Sequence, residues 1–119
     1  MKLLIIDDSA FSRRKLKEAI LKEQPGIELI EAVDGEEALK KIESDSPDAC
    51  VTDLLMPKMD GVAFLRAVKE RDLPIKVAVF SADIQDSRKA ECRELGAITF
   101  LEKPLTPVKI AQLLESLAG

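Results

Sequence analysis

The sequence predicts an α/β fold, a parallel sheet of five strands wrapped by helices on both faces. Short apolar runs alternate five times with longer amphipathic stretches, as repeated β-α units do. Four of the five runs are near-continuous in apolar residues, the pattern of strands buried on both faces. The connections are short, which keeps successive strands in one sheet. At 119 residues the chain is read as one domain, 1-119, near the usual size of roughly 100–150 residues.

The elements follow in order along the chain. Leu3–Ile6 reads as the first strand. Residues 9–24 read as a helix with Leu16, Ala19 and Ile20 on one face. Ile27–Ile30 is interrupted by Glu28 and reads as an edge strand. Asp34 caps a helix over 35–45, with Glu37 three positions later as in a capping box. Ala49–Val51 is the third strand. Asp60 caps a helix over 61–71, where Leu65 and Val68 share a face. Pro25-Gly26 and Pro74 punctuate two helix-to-strand returns. Ile75–Phe80 is the fourth strand. A helix over 84–95 stops at Gly96, a natural residue just past a helix end. Ile98–Leu101 is the fifth strand. Thr106-Pro107 is an N-cap followed by Pro at the first helical position, opening a helix over 107–118 lined by Ile110, Leu114 and Leu117.

Composition excludes several functions. Hydrophobic residues make up 46% and charged residues 34%, which argues against disorder. Twenty-two acidic against 18 basic residues leave a net charge of -4, the wrong sign for a nucleic-acid binder. There is no His, so there is no His triad, His metal site or phospho-His on this chain. Cys50 and Cys92 form no C-x-x-C pair, and a reduced, cytoplasmic protein is the simpler reading. No apolar run approaches the roughly 20 residues of a membrane span. The N-terminal apolar run ends at Asp7, short of the about 7–15 residues of a signal-peptide core. There is no linker or repeat, and Gly119 follows the last helix directly, so no output domain is expected.

The acids are placed informatively. In an open parallel sheet, function gathers at the carboxyl ends of the strands. The first strand ends in Asp7-Asp8, the third in Asp53 and the fourth in Ser81, and the fifth runs into Lys103-Pro104. All of these reach one rim. Three converging carboxylates repel, and their pKa values rise unless a cation binds. Mg2+ is hard, octahedral and takes oxygen ligands. An Asp beside it can act as a nucleophile toward phosphorus. Mg2+, an ammonium and a hydroxyl can each take one oxygen of a transferred phosphoryl. Lys103 and Ser81 are the required types.

Four segments then carry a resemblance. They are Ile6-Asp7-Asp8-Ser9, Asp53-Leu54-Leu55-Met56-Pro57-Lys58-Met59-Asp60-Gly61, Ser81-Ala82, and Gly96-Ala97-Ile98-Thr99-Phe100-Leu101-Glu102-Lys103-Pro104. In this order and at these spacings, the chain resembles the response-regulator receiver domain of two-component signalling, near the stand-alone chemotaxis type. The resemblance covers essentially the whole chain. It implies a flavodoxin-like, doubly wound (βα)5 fold of strand order 2-1-3-4-5.

The same resemblance implies roles, each with a plainer alternative. Asp53 is the phosphoacceptor; alone it would read as a turn or capping Asp. Asp8 is the direct Mg2+ ligand and Asp7 acts partly through water; alone the pair would be a solvated turn. Asp53 and the main-chain carbonyl of Leu55 complete the metal ligands. Lys103 contacts the phosphoryl group, where a strand-end Lys is usually just solvated. Pro104 implies a cis peptide that aims Lys103. Ser81 stands where the family carries Ser or Thr; its alternative is an N-cap for the next helix, a place Asp83 serves equally. Phe100 aligns with an aromatic switch position, against ordinary half-buried packing. As Phe it lacks a hydroxyl, so switching must come from ring burial. Leu55 and Asp83 are less typical and flank the phosphoryl group. Met56, Pro57 and Met59 read as loop packing, and Cys50 as a core residue. Arg13-Arg14-Lys15-Lys17 reads as a solvated helix face, with docking of an acidic kinase surface as the alternative.

The implied function is a phosphorylation switch. A histidine kinase or histidine phosphotransfer protein, or a small molecule, donates phosphoryl to Asp53 in a Mg2+-dependent step. The face of the fourth helix, fifth strand and fifth helix then changes and binds a downstream protein. The domain speeds its own phosphorylation and dephosphorylation and is otherwise no enzyme; monomer is the default. Three rivals fit less well. A flavodoxin-type binder needs a phosphate-cradling loop where Asp7-Asp8 would repel. A haloacid-dehalogenase-type phosphatase expects a second Asp at position 55. A phosphate-independent module normally lacks part of the acid pocket.

Overall fold

The computed structural model describes residues 1–83 and 85–118. Among the described residues five strands and five helices alternate strictly. β1 is Lys2–Ile6, α1 Ala10–Glu23, β2 Glu28–Ala32, α2 Gly35–Asp45 and β3 Ala49–Thr52. Then come α3 Gly61–Glu70, β4 Lys76–Ser81, α4 Asp86–Glu94, β5 Thr99–Glu102 and α5 Pro107–Ala118. All strand pairs are parallel and the order is β2-β1-β3-β4-β5, the doubly wound topology expected.

The continuous apolar strands divide by the two-residue period of the pleat. Leu4 and Ile6 of β1, Cys50 of β3, and Val77 and Val79 of β4 enter one core, under α2, α3 and α4. Leu3 and Ile5, Ala49 and Val51, and Ala78 and Phe80 enter the other, under α1 and α5. Each central strand thus feeds two cores at once. That is why its sequence lacks an alternating pattern.

Side chains close most helix starts. Ser9 Oγ accepts from Ser12 N at 3.1 Å and Asp60 Oδ1 from Ala63 N at 2.8 Å. Thr106 Oγ1 accepts from Lys109 N at 3.2 Å. Asp34 Oδ1 accepts from Glu37 N at 2.8 Å, while Glu37 Oε1 reaches back to Val33 N at 3.2 Å. This is a capping box shifted by one donor. At the end of α4, Gly96 adopts φ +99°, a left-handed conformation that suits a residue without Cβ.

The structure departs from the sequence expectations at the edges of the sheet. The second strand lies over Glu28–Ala32 rather than Ile27–Ile30. Its register is set by pairing with β1, from Lys2↔Glu28 to Ile6↔Ala32. Ile27 is buried ahead of it. The fifth strand is Thr99–Glu102, and its residues are half-buried or exposed rather than enclosed on both faces. It is the second edge of the sheet, with β4 as its neighbour, and Ile98 ahead of it is exposed. α1 is trimmed by one residue at each end relative to 9–24, and α3 by one residue at its C-terminal end relative to 61–71. α4 spans Asp86–Glu94 rather than 84–95, with no side-chain cap. Neither Ser81 nor Asp83 serves as its N-cap. Ile84 and Gly119 lie outside the described residues.

Candidate functional site

Three backbone hydrogen bonds carry the sheet one residue past its strands. Asp7 N donates to Ala32 O at 3.1 Å, Asp53 N to Ile6 O at 3.0 Å and Lys103 N to Ser81 O at 2.9 Å. The three side chains therefore leave from ordered backbone at one rim. Lys103 Nζ lies 2.8 Å from Asp53 Oδ2 and 3.3 Å from Asp7 Oδ2. It also stands 5.8 Å from the centre of the Phe80 ring. The Lys103–Pro104 peptide is cis, as the resemblance implied.

The remaining carboxylate oxygens are held by backbone amides. Asp53 Oδ1 accepts from Leu54 N at 2.6 Å, with Leu55 N farther off at 3.4 Å. Asp7 Oδ1 accepts from Ser9 N at 2.9 Å. This leaves the Oδ2 atom of each facing the ammonium. Burial pushes the Asp7 carboxyl above its ordinary range, outweighing the Ser9 amide and the Lys103 charge. Burial alone would weaken the Lys103 ammonium. Its hydrogen bond and charge pairing with Asp53, helped by Asp7, hold its pKa above the ordinary lysine value.

The other expected residues are placed differently. Asp8 is exposed beside the cluster, while Asp7 is the buried partner of Lys103. Ser81 is fully buried at the end of β4, and its Oγ accepts from Asp83 N at 3.1 Å. Asp83 Oδ1 in turn accepts from Gln85 N at 3.3 Å, and its Oδ2 lies 3.6 Å from Arg88 Nε. The Leu55 side chain is 66% exposed. Phe100 packs partly buried against the core under α2, α3 and α4, with Lys89 Nζ 5.9 Å from its ring centre. Cys50 and Cys92 are both buried, and burial raises both thiols, so neither is poised for thiolate chemistry.

The basic run is not a uniformly solvated face. Arg13 Nε and Lys17 Nζ each lie 3.0 Å from Glu31 of β2, and Arg13 Nη1 donates to Asp7 O at 2.7 Å. Arg14 and Lys15 instead stand 5.6 and 5.5 Å from the ring centre of exposed Phe11. Glu31 and Phe11 were not singled out from the sequence. The Phe11 spacing to Arg14 and Lys15, three and four residues, was a readable helical signal. Glu31 needed the register of β2.

The Glu31 carboxyl is lowered, first by the Lys17 hydrogen bond, against burial and with Arg13 assisting. Its contribution to stability is therefore complete above the ordinary glutamate range and lost as pH falls through the lower folded value. Glu31→Gln is expected to cost at most about 1 kcal/mol at neutral pH, because the pair is partly exposed. Urea midpoints of the two proteins should converge in acid.

The donor set suits a hard divalent cation. The side chains of Asp7, Asp8 and Asp53 and the carbonyls of the loop after Asp53 supply only oxygen. Among the described residues no group of three or more His, Cys, Asp or Glu side chains is drawn into a ready cage. Lys103 stands between Asp7 and Asp53 instead. A single ammonium does not fully offset the burial of Asp7, whose carboxyl stays raised. A divalent charge at the same rim would supply the remainder.

This sheet, with an acid pair clamped by a lysine at its carboxyl rim, defines a receiver domain. The model of the response regulator receiver domain matches residues 3–115, and the chain belongs to that family. Among its relatives is the chemotaxis protein CheY of Bacillus subtilis, 33% identical over 112 residues, covering 93% of this chain and 92% of CheY. Another is protein-glutamate methylesterase/protein-glutamine glutaminase 3 of Geobacter sulfurreducens, 42% identical over 105 residues and 87% of this chain. The match spans 28% of the length of that esterase. The CheX–CheY–BeF3–Mg2+ complex from Borrelia burgdorferi matches with a TM-score of 0.91 at 34% identity, over 100% of this chain and 90% of that one. Mg2+-dependent phosphotransfer is general behaviour of receiver domains. Among the described residues no helix is long and apolar enough to cross a membrane.

Proposed function

We propose that Asp53 is the phosphoacceptor of this receiver domain, taken as one unit over 1-119, and that phospho-His on a partner kinase or phosphotransfer protein is its donor. The observation that carries this reading is the Lys103 Nζ contact with Asp53 Oδ2 at 2.8 Å, backed by Asp7. The clamp keeps Asp53 Oδ2 at the rim, and the Leu54 amide holds Oδ1, so one oxygen is oriented for attack. Oδ2 forms the new bond to phosphorus as the phosphorus–nitrogen bond to the donor imidazole breaks. Lys103 passes from the carboxylate to a phosphoryl oxygen. The Ser81 hydroxyl takes a second oxygen. Asp7, Asp8, Asp53 and the Leu55 carbonyl would hold Mg2+, which would supply positive charge against the transferred phosphoryl group.

Recruiting Ser81 moves the loop that carries Asp83, and Phe100 follows by changing its burial. The α4–β5–α5 face then binds a downstream protein, and the added phosphoryl charge drives the shift between pre-existing states. The domain is a switch that speeds its own phosphorylation and dephosphorylation rather than a free-standing enzyme. We place it in the cytoplasm, with its kinase partner.

Incubation with Mg2+ and acetyl phosphate, followed by intact mass in mild acid, tests this. One added phosphoryl group is expected, and chelating Mg2+ should remove it. A mass unchanged by Mg2+ and donor would favour a phosphate-independent interaction module.

Leu55 adds a second expectation. Its exposed apolar side chain follows the acceptor by two residues. Leu55→Asn is expected to change the phosphoryl lifetime while acceptance persists. Decay of the adduct followed by mass checks this, and equal lifetimes would contradict it.

A further inference from the structure

A cavity of about 490 Å³ opens beside the acceptor, between α1 and the segment after β5. Phe11, Leu16, Phe80, Pro104 and Leu105 give it an apolar lining, and Lys15 adds a cation. Lys103, which grips Asp53, and Asp7, which grips Lys103, also line it. Lys103 and Asp7 therefore join the cavity to Asp53. Phe11 is 61% exposed at the lip, a conspicuous position for a Phe next to an acid cluster. Arg14 and Lys15 flank its ring at 5.6 and 5.5 Å. A lone exposed hydrophobe is ordinary. An aromatic ring beside the Lys15 cation, on an apolar cavity of ligand size, matches an aromatic carboxylate in both shape and charge.

We propose that this cavity is a leaving-group subsite for small-molecule phosphodonors, and that it selects acyl phosphates with an aromatic or similarly bulky apolar acyl group. The inference rests on Asp53 being the acceptor. In the step, Asp53 Oδ2 bonds to phosphorus and the phosphorus–oxygen bond to the acyl group breaks. The electron pair leaves with the carboxylate, and no proton or further reactant is needed. The departing anion meets Lys15 while its ring lies against Phe11 and Leu105. An acetyl group is too small to reach both.

The test compares initial rates of Asp53 phosphorylation by benzoyl phosphate and acetyl phosphate, in wild type and Phe11→Ala. Phe11 is exposed, so its truncation leaves the core intact. The benzoyl-to-acetyl rate ratio in the wild type is expected to exceed that of the variant by about three- to tenfold, the size of one aromatic contact. This double ratio cancels the different intrinsic reactivities of the donors. A parallel titration with benzoate, read by amide chemical shifts, needs no phosphoryl transfer. Shifts clustered at residues 11, 15 and 105, and lost in Phe11→Ala, support the subsite. Equal ratios in the two proteins, or benzoate shifts scattered away from the cavity, would overturn it. No adduct from either donor would instead overturn the acceptor reading, while the benzoate titration still decides whether the cavity binds the anion.

Discussion

Asp53→Asn is expected to give no phosphoryl adduct under conditions that load the wild type, while the fold persists. The amide is nearly the same shape as the carboxylate. Its carbonyl oxygen can still accept from Leu54 N, the bond that now holds Oδ1 at 2.6 Å. What disappears is the anionic oxygen proposed to attack phosphorus, and a neutral amide does not replace it. Lys103 keeps Asp7 as a partner at 3.3 Å but loses the stronger of its two contacts. Its pKa should fall toward the ordinary lysine value, because Asp53 is the chief group raising it. Intact mass reads the first effect, and a cooperative urea transition separates it from misfolding. An adduct on the variant would place the acceptor elsewhere.

The second large effect is structural and lies directly under the site. Gly61 opens α3, and its N–H donates to Leu54 O at 3.0 Å. A Cβ built there would stand 2.3 Å from Asp53 O and 2.8 Å from Leu54 Cα. Both neighbours are backbone and cannot rotate away. Gly→Ala inside a helix ordinarily gains up to about 1 kcal/mol. Here the clash should reverse the sign, and Gly61→Ala is expected to cost about 3 kcal/mol, at the upper end of overpacking. It should also slow phosphoryl acceptance, since the residue pushed is the proposed acceptor. Gly26→Ala is the control, with nothing within 4 Å of its Cβ. Urea midpoints and phosphorylation rates of the two variants check both parts. A Gly61→Ala protein as stable as the wild type would show that the β3–α3 turn gives way easily.

The central strands were legible because β1, β3 and β4 are apolar on both faces, and only a strand covered by helices on both sides has that composition. The edges were less legible. β2 begins at Glu28 because Lys2 of β1 pairs there, a fact of register rather than of local sequence. β5 carries apolar residues like a central strand yet lies at an edge. α4 has no capping side chain to mark its start, so its boundary moved. In the site, the places of Asp53 and Lys103 at one rim could be read from the strand ends, while the roles expected of them came from the resemblance. Which member of Asp7-Asp8 turns inward could not. It depends on the ladder continuing through Asp7 N to Ala32 O, which leaves Asp7 buried and Asp8 exposed. The ties from Arg13 and Lys17 to Glu31 join residues 14 or more apart in sequence. They follow only from the packing of α1 against the sheet edge.

In the proposed mechanism one carboxylate, Asp53, takes the phosphoryl group. Borohydride reduction of the protein after incubation with Mg2+ and acetyl phosphate tests it most directly. Reduction converts an aspartyl phosphate to homoserine, which peptide mass mapping then locates. Homoserine is expected at position 53, dependent on both Mg2+ and donor. Homoserine at position 7 or 8, or aspartate retained at all three positions of a protein that carries the added phosphoryl mass, would contradict it.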